Sequence, residues 1–129
     1  MTFHSKVLLV EDDEFTRFMM REIMVELGVE VDVASDGEEG LEKLVEAPSD
    51  FGLVLMDLHM PHMSGIEAAS SIRANMNNPP NSVPIIAVTA DITYHDDARI
   101  EQLGMDGYAS KPVSPGTLMS LIKQYCAAA

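Results

Sequence analysis

The feature that most constrains this chain is the regular alternation of short apolar runs with longer segments of helical periodicity. Short runs that are rich in aliphatic and β-branched residues are typical of buried strands. Five such runs occur in the 129 residues, at Lys6–Val10, Val29–Ala34, Phe51–Met56, Pro84–Val88 and Gly107–Ala109. Because strands separated by helices pair in parallel and need helices on both faces, this order predicts an α/β fold with a parallel sheet.

Five helices are predicted between and after these strands, over about residues 14–27, 36–46, 64–74, 93–103 and 114–125. Their boundaries carry recognisable signals. Gly28 and Gly104 stand where helix C-cap glycines belong, and Ser114 and Pro115 form an N-cap and first-turn pair. At about 150 residues per domain, the length predicts one domain, which we take as residues 1–129.

The chain is strongly acidic, with 21 acidic against 8 basic residues and a formal net charge of −13. Residues 1–64 hold 15 of the acids, and residues 65–129 hold 6. Binding to a phosphate backbone needs a Lys/Arg footprint, so this balance argues against direct nucleic-acid binding. We expect no membrane segment, since no apolar run approaches roughly 20 residues, and the lone cysteine is typical of a cytoplasmic protein.

Chemically active residue types stand at the carboxyl ends of four predicted strands. Glu11 and Asp12 follow the first strand and Asp57 follows the third. Thr89 follows the fourth strand, and Lys111 comes shortly after the fifth. Ligand sites of open parallel sheets lie beyond these ends, so we expect the five residues to meet on one edge. Carboxylates about 5 Å apart repel by about 3 kcal/mol per pair at an effective dielectric of about 20, which protons or a divalent cation must relieve.

These residue types together suit the acceptance of a phosphoryl group. Mg2+ prefers hard oxygen ligands and commonly binds a few carboxylates together with phosphate oxygens. An aspartate such as Asp57 can act as a nucleophile and form an acyl phosphate. The hydroxyl of Thr89 and the ammonium of Lys111 would then offset charge on the phosphoryl oxygens. The residues therefore predict a phosphoryl-accepting site with Mg2+ as its cofactor.

Four stretches carry a resemblance to a known family: VLLVEDD (7–13), LVLMDLHMPHMSG (53–65), PIIAVTA (84–90) and DGYASKP (106–112). In this order and spacing the chain resembles, over essentially its whole length, the receiver domain of two-component response regulators. The resemblance implies a flavodoxin-like, doubly wound sheet of five parallel strands in the order 2-1-3-4-5 with five helices. It also implies a phosphoacceptor signalling domain rather than an enzyme, with only Mg2+-dependent self-phosphorylation and autodephosphorylation.

The resemblance implies a role for each acidic residue, matched position by position. Asp57 would be the phosphoacceptor and a ligand of Mg2+. Asp12 would contact Mg2+ directly and Glu11 through water, while the backbone carbonyl of His59 would supply another protein ligand. His59 and Asp91 also occupy positions that flank the path of the attacking water in the family. We therefore expect the bulky imidazole to slow the loss of phosphate.

The resemblance assigns the switch to the second half of the chain. Thr89 would be the hydroxyl that moves to the phosphoryl group, and Tyr108 would be the aromatic residue that turns inward with it. Lys111 would be the cation of the family's site, and its bond to Pro112 is expected to be cis. The surface expected to change is that of the fourth helix and the fifth strand.

The first helix carries the predicted docking residues. Its core stripe is expected to be Met19, Met20, Ile23, Met24 and Leu27. Phe15 and Phe18 lie on a different stripe, roughly 100–150° away. Either they pack under neighbouring loops or they anchor a partner helix, since aromatic residues often dominate interfaces. The implied partner is a histidine kinase or a histidine phosphotransfer domain, which docks on this helix in the family.

Two other classes of protein are alternatives for this pattern. A Mg2+-dependent phosphatase with an aspartate nucleophile expects D-x-D at the end of its strand, whereas Leu58 and His59 follow Asp57. A flavin-binding electron carrier shares the strand order but needs a Ser/Thr/Gly-rich phosphate loop where Glu11–Glu14 stand. With no output segment expected after the fifth helix, a stand-alone regulator and the receiver of a hybrid histidine kinase both stay open. A phosphorylation-dependent dimer is a further open expectation.

Overall fold

The computed structural model describes residues 3–127, and within this range strands and helices alternate as predicted. The strands are β1 (Lys6–Val10), β2 (Val31–Ala34), β3 (Phe51–Asp57), β4 (Ile85–Thr89) and β5 (Gly107–Ser110). The α-helices are α1 (Glu14–Glu26), α2 (Gly37–Glu46), α3 (Gly65–Arg73), α4 (Asp97–Gln102) and α5 (Pro115–Cys126). None of these described helices has both the length and the apolar character that crossing a membrane requires.

The strands form a parallel sheet in the order β2-β1-β3-β4-β5, which confirms the predicted flavodoxin-like topology. β3 lies at the centre, and its residues 53–57 are all buried because helices cover both faces of the sheet. Val10 of β1 pairs with Met56 of β3, and Asp57 pairs with Val88 of β4. The carboxyl ends of these three strands therefore share one edge, as the site prediction requires.

Alternate strand residues enter two cores on opposite faces of the sheet. In β1, Val7 and Leu9 lie in one buried cluster, whereas Leu8 and Val10 lie in the other. The helices contribute Met20, Met24, Leu118 and Ile122 to the first cluster, and Leu44, Ala68, Ile72 and Ile100 to the second. Close packing on both faces fixes the strands, so the residues at their carboxyl ends stand on a rigid base.

One predicted helix is wrong in its extent. The helix expected over about residues 93–103 is interrupted, since a 3₁₀ turn covers Ile92–Tyr94 and α4 begins only at Asp97. The Asp96 side chain accepts hydrogen bonds from the N–H groups of Ala98 (3.0 Å) and Arg99 (3.3 Å). An aspartate in this position caps a new helix instead of continuing an earlier one. The residues before it are therefore left in a loop.

The core stripe predicted for α1 is also partly wrong. Met20 and Met24 are buried, and Ile23 and Leu27 are half-buried, but Met19 is 44% exposed. Successive helix residues are separated by 100°, so Met19 is turned away from the sheet when Met20 faces it. Its side chain contributes to a surface groove instead of the core.

Candidate functional site

The acidic residues meet at the carboxyl edge of the sheet. Glu11 and Asp12 directly follow β1, and Asp57 is the last residue of β3. Because Val10 pairs with Met56, the residues that follow them stand side by side. Carboxylate oxygens from the three acids lie within 4.8 Å of one another. Glu11 and Asp57 are buried while Asp12 is exposed, so this acidic cluster (Glu11, Asp12, Asp57) opens to solvent on one side.

A lysine faces the acidic cluster from the far side of β4. Lys111 directly follows β5, and its Nζ lies 2.6 Å from Glu11 Oε1 and 3.4 Å from Asp57 Oδ2. Burial alone would lower the pKa of Lys111, but its hydrogen bond to Glu11 and the charge of Asp57 outweigh burial and raise it. The side chain is therefore a permanent positive charge beside Asp57. Its bond to Pro112 is cis, as predicted.

The surroundings of Asp57 disfavour its charged form. Burial, followed by close contacts with Glu11 and Asp12, raises the pKa of Asp57 to about 7. The negative charge of Glu11 acts in the same direction, and Lys111 opposes it without cancelling the shift. Without a bound cation, the carboxylates of the acidic cluster therefore repel one another, because they lie together at one edge of the sheet.

The acidic cluster fits a hard divalent cation. Three carboxylates and one ammonium sum to a formal charge of −2 when all are ionised, which one divalent cation would neutralise. Glu11 Oε1 is buried and pairs with the Lys111 ammonium at 2.6 Å. Mg2+ binds through a few carboxylates and keeps several waters, which suits oxygens that open to solvent at Asp12. The carbonyl of His59 as a further ligand stays a prediction.

Thr89 is the last residue of β4, beside the strand that carries Asp57. Asp57 pairs with Val88, so Thr89 extends one residue further along the same edge. Its buried hydroxyl oxygen accepts a 3.0 Å hydrogen bond from the N–H of Asp91. A move of this hydroxyl towards Asp57 must therefore break that hydrogen bond or draw the following loop along with it.

A side-chain bridge crosses the edge between the loops that follow β3 and β4. His59 Nε2 lies 3.0 Å from Asp91 Oδ2, and the backbone N–H of His59 donates to Asp57 Oδ1 at 3.3 Å. The hydroxyl and the N–H of Thr93, followed by His59, lower the pKa of Asp91 to about 2. The sequence indicated both residues as neighbours of the site. It did not indicate their mutual contact, because 32 positions separate them.

Tyr108, the predicted switch residue, is half-buried and packs against a histidine that the sequence analysis missed. The rings of His95 and Tyr108 stack with centroids 5.0 Å apart and an interplanar angle of 8°. His95 Nε2 also lies 3.1 Å from the carbonyl oxygen of Thr89. His95 stands between the 3₁₀ turn and α4, where no periodicity reports on side-chain contacts, so no sequence signal marked it.

The residues predicted to dock a partner are exposed on α1. Phe15 is 72% and Phe18 is 57% exposed, so neither packs under a neighbouring loop. Phe15 borders an apolar groove of about 490 Å³ between α1 and the loop after β5. The groove is also lined by Met19, Met20, Ile23, Lys111, Pro112 and Val113. It therefore begins beside the acidic cluster, while the docking role of the two phenylalanines stays a prediction.

Comparisons with known proteins agree on one family. A family model described as "Response regulator receiver domain" matches residues 7–123. The chain is 33% identical over 126 residues to hybrid signal transduction histidine kinase I of Dictyostelium discoideum, covering 95% of the chain and 7% of that protein. It is 33% identical over 121 residues to the polar-differentiation response regulator DivK of Brucella anthropi, covering 94% of the chain and 95% of that protein. The chain thus spans only a small part of the hybrid kinases it matches.

Solved structures share the fold over nearly the whole chain. The chemotaxis protein CheY4 of Vibrio cholerae superimposes with a TM-score of 0.81 at 29% identity, covering 94% of this chain and 98% of that one. The receiver domain of sensor histidine kinase PA1611 from Pseudomonas aeruginosa PAO1 superimposes with a TM-score of 0.79 at 29% identity, covering 94% and 96%. That structure has a magnesium ion coordinated in its active site cleft.

Proposed function

Because this chain belongs to the response regulator receiver family, we propose that Asp57 is the residue that carries the phosphoryl group in its two-component phosphorelay. The observation that supports this most is the position of Asp57, a buried carboxylate within 4.8 Å of Glu11 and Asp12 and 3.4 Å from Lys111. A carboxylate oxygen of Asp57 attacks phosphorus, an O–P bond forms, and the P–N bond to the donor imidazole breaks. The leaving imidazole takes up a proton, and an acyl phosphate remains.

The surrounding residues would stabilise the charge that this transfer brings to the edge. Lys111 is already beside Asp57 Oδ2 and would contact the phosphoryl oxygens from the β5 side. Thr89 would donate its hydroxyl from the β4 side. When Mg2+ is bound by Glu11, Asp12 and Asp57, it would neutralise the carboxylates and the incoming phosphoryl oxygens. The residues thus position and stabilise the group, and a partner supplies it.

The likeness to the solved magnesium-containing receiver domain supports Mg2+ as the cofactor of the proposed reaction. We take the receiver domain to span residues 1–129, which includes the matched range 7–123. The chain is a signalling domain. We propose in addition that it accepts phosphate from small donors and that it removes its own phosphoryl group. The proposal also includes a cytoplasmic location and, in view of the net charge of −13, no direct contact with nucleic acid.

Intact-protein mass spectrometry after incubation with acetyl phosphate tests the proposed function. With MgCl2 we expect one labile phosphoryl group per chain, and with EDTA we expect almost none. A chain that stays unmodified with MgCl2, or that is modified equally in EDTA, would contradict the proposal. Multiple turnover of a phosphate ester such as p-nitrophenyl phosphate would instead indicate the phosphatase alternative, which no contact in the site favours.

We expect a His59→Ala variant to lose its phosphoryl group severalfold faster than the wild type. The His59 ring spans the edge to Asp91 at 3.0 Å and would stand in the path of a water that attacks the acyl phosphate. Removing the imidazole would open that path, and attack depends steeply on the geometry of approach. Decay of the phosphorylated protein after removal of the donor measures the rate. A His62→Ala variant, at an exposed histidine in the same loop between β3 and α3, is the matched control. Equal decay of wild type and His59→Ala would count against the prediction.

We expect a Phe18→Ala variant to accept phosphate from a histidine phosphotransfer domain about thirtyfold more slowly, because truncating an aromatic hot-spot residue at an interface costs about 2 kcal/mol. Phe18 is 57% exposed and is not a member of the acidic cluster, so phosphorylation by acetyl phosphate should be unchanged. Transfer of label from the partner is the measurement. Val45→Ala, at another exposed apolar residue on α2, is the control.

The two reactions separate the explanations for Phe18. A parallel loss in both reactions would indicate a structural role for this side chain. No loss in either reaction would show that the partner docks elsewhere.

A further inference from the structure

One histidine side chain contacts both residues of the proposed switch. His95 Nε2 lies 3.1 Å from the carbonyl oxygen of Thr89, and the ring of His95 stacks on Tyr108 at 5.0 Å. We propose that His95 is a positioning residue that holds Tyr108 in its unphosphorylated orientation and releases it when Thr89 moves. This inference rests on the proposed function, since it assumes that phosphorylation of Asp57 displaces Thr89.

The geometry of these two contacts explains how His95 would hold Tyr108. We call the contacts of His95 with Thr89 and Tyr108 the His95 clamp. A centroid distance of 5.0 Å with an angle of 8° is an offset stack, in which the faces of the two rings remain in contact. The hydrogen-bonding position of Nε2 on the Thr89 carbonyl fixes the plane of the imidazole. Tyr108 can therefore leave its present position only by giving up the stack or by displacing His95 from Thr89.

The backbone on both sides of His95 is held in place. The N–H of His95 donates to the carbonyl of Ile92 at 3.1 Å, which closes the 3₁₀ turn. The next residue, Asp96, caps α4 through the N–H groups of Ala98 and Arg99. The imidazole thus projects from a short segment anchored at both ends, and its position follows that of the loop.

Thr89 connects the phosphorylation site to this clamp. Its hydroxyl oxygen accepts from the N–H of Asp91, and its carbonyl oxygen faces His95 Nε2 and accepts from the N–H of Lys111 at 3.1 Å. A displacement of Thr89 towards Asp57 therefore pulls on the loop through Asp91 and alters the contact with His95. The stack with Tyr108 is weakened at the same time.

The neighbouring residue Tyr94 makes contacts that differ from those of His95. The Tyr94 ring meets His59 edge-on at 5.7 Å and lies 4.1 Å from the guanidinium of Arg99. Tyr94 thus faces the bridge side of the loop, whereas His95 faces Tyr108. The two adjacent aromatic rings of this segment contact different partners, and the ring of His95 is the one that stacks on Tyr108.

The stack of His95 on Tyr108 would exist only in the unphosphorylated protein, so it would stabilise that state relative to the phosphorylated one. Removing it should shift the equilibrium towards that state and raise the affinity for a phosphoryl group or its mimic. The measured effect should be about a two- to tenfold tighter binding of beryllofluoride with Mg2+ in His95→Ala, in line with the strength of one aromatic pair. A substitution that merely loosens the fold would weaken binding, so the gain distinguishes a clamp from a structural residue.

The position of Tyr108 can be followed by 19F NMR after incorporation of 3-fluorotyrosine. The chain has three tyrosines, and the Tyr108→Phe variant assigns the resonance. In the unmodified protein, His95→Ala and His95→Gln should shift the Tyr108 resonance towards the position that beryllofluoride produces in the wild type. His95→Phe should keep it near the wild-type position, because the phenyl ring preserves the stack. His4→Ala is the control, because His4 is exposed and lies before the amino end of β1, away from the acidic cluster. It should leave the Tyr108 resonance unchanged.

The outcomes separate this inference from the proposed function. If His95→Ala leaves the Tyr108 resonance in place, or if its affinity for beryllofluoride is unchanged or lower, the clamp is wrong while the phosphoacceptor role of Asp57 stands. If the wild type binds no beryllofluoride and takes no phosphate, the proposed function is wrong, and the switch role of His95 is overturned with it.

Discussion

We expect an Asp57→Asn substitution to abolish phosphorylation by acetyl phosphate and Mg2+. The amide has nearly the same shape as the carboxylate but is not a nucleophile, so no acyl phosphate can form. The other residues at the edge stay in place, which makes the loss specific to the chemistry. Intact-protein mass spectrometry, followed by mapping of the modified peptide, measures the result.

Asp50→Asn is the matched control for this experiment. Asp50 is exposed and directly precedes β3, at the end of the strand opposite Asp57. We expect this variant to be phosphorylated like the wild type. If Asp57→Asn were still modified to the same extent as the wild type, the phosphoryl group would reside elsewhere and the assignment of Asp57 would be wrong.

The sheet was predictable from the sequence because each strand carries its own signal. Runs such as Phe51–Met56 are apolar at every position, which indicates burial on both faces, and the helices between them restrict the sheet to parallel pairing. The interruption before α4 was not predictable from periodicity. It depends on whether the Asp96 side chain caps a new helix turn, and an aspartate at that place is equally compatible with an exposed position within one helix.

The acidic cluster was predictable for the same reason as the sheet. Residues at the carboxyl ends of neighbouring parallel strands must share an edge, so the sequence alone places Glu11, Asp12 and Asp57 together. The contacts of His59 with Asp91 and of His95 with Tyr108 were not predictable. They join loop residues whose side-chain directions depend on local backbone angles instead of on a repeating pattern.

The second large effect is on stability, where we expect Asp57→Asn to stabilise the metal-free protein by about 1–3 kcal/mol at neutral pH. The substitution removes a buried negative charge that faces Glu11 and Asp12 and that Lys111 compensates only partly. Mg2+ should stabilise the wild type by binding the folded state alone, and should stabilise the variant much less. The measurement is urea denaturation with EDTA or with MgCl2.

The raised pKa of Asp57 sets the pH range of this effect. Its pKa is about 7 in the folded protein, against about 4 for an aspartate in the unfolded chain. Between these values the folded state binds more protons, so the free energy of unfolding of the metal-free wild type falls as pH rises, by up to about 1.4 kcal/mol per pH unit. Asparagine has no proton to lose, so this decline is absent from the variant.

The advantage of Asp57→Asn over the wild type should therefore be smallest near pH 4 and below, where Asp57 is protonated in both the folded and the unfolded chain, and should grow until it is largest above about pH 7. Asp91, whose pKa is lowered to about 2, affects stability with the opposite slope and only below about pH 4, outside this window. Denaturation of the wild type, Asp57→Asn and Asp50→Asn in EDTA across this range isolates the contribution of the cluster. A metal-free wild type that is more stable than Asp57→Asn at the upper end of the range would show that the three carboxylates do not repel one another in the folded protein.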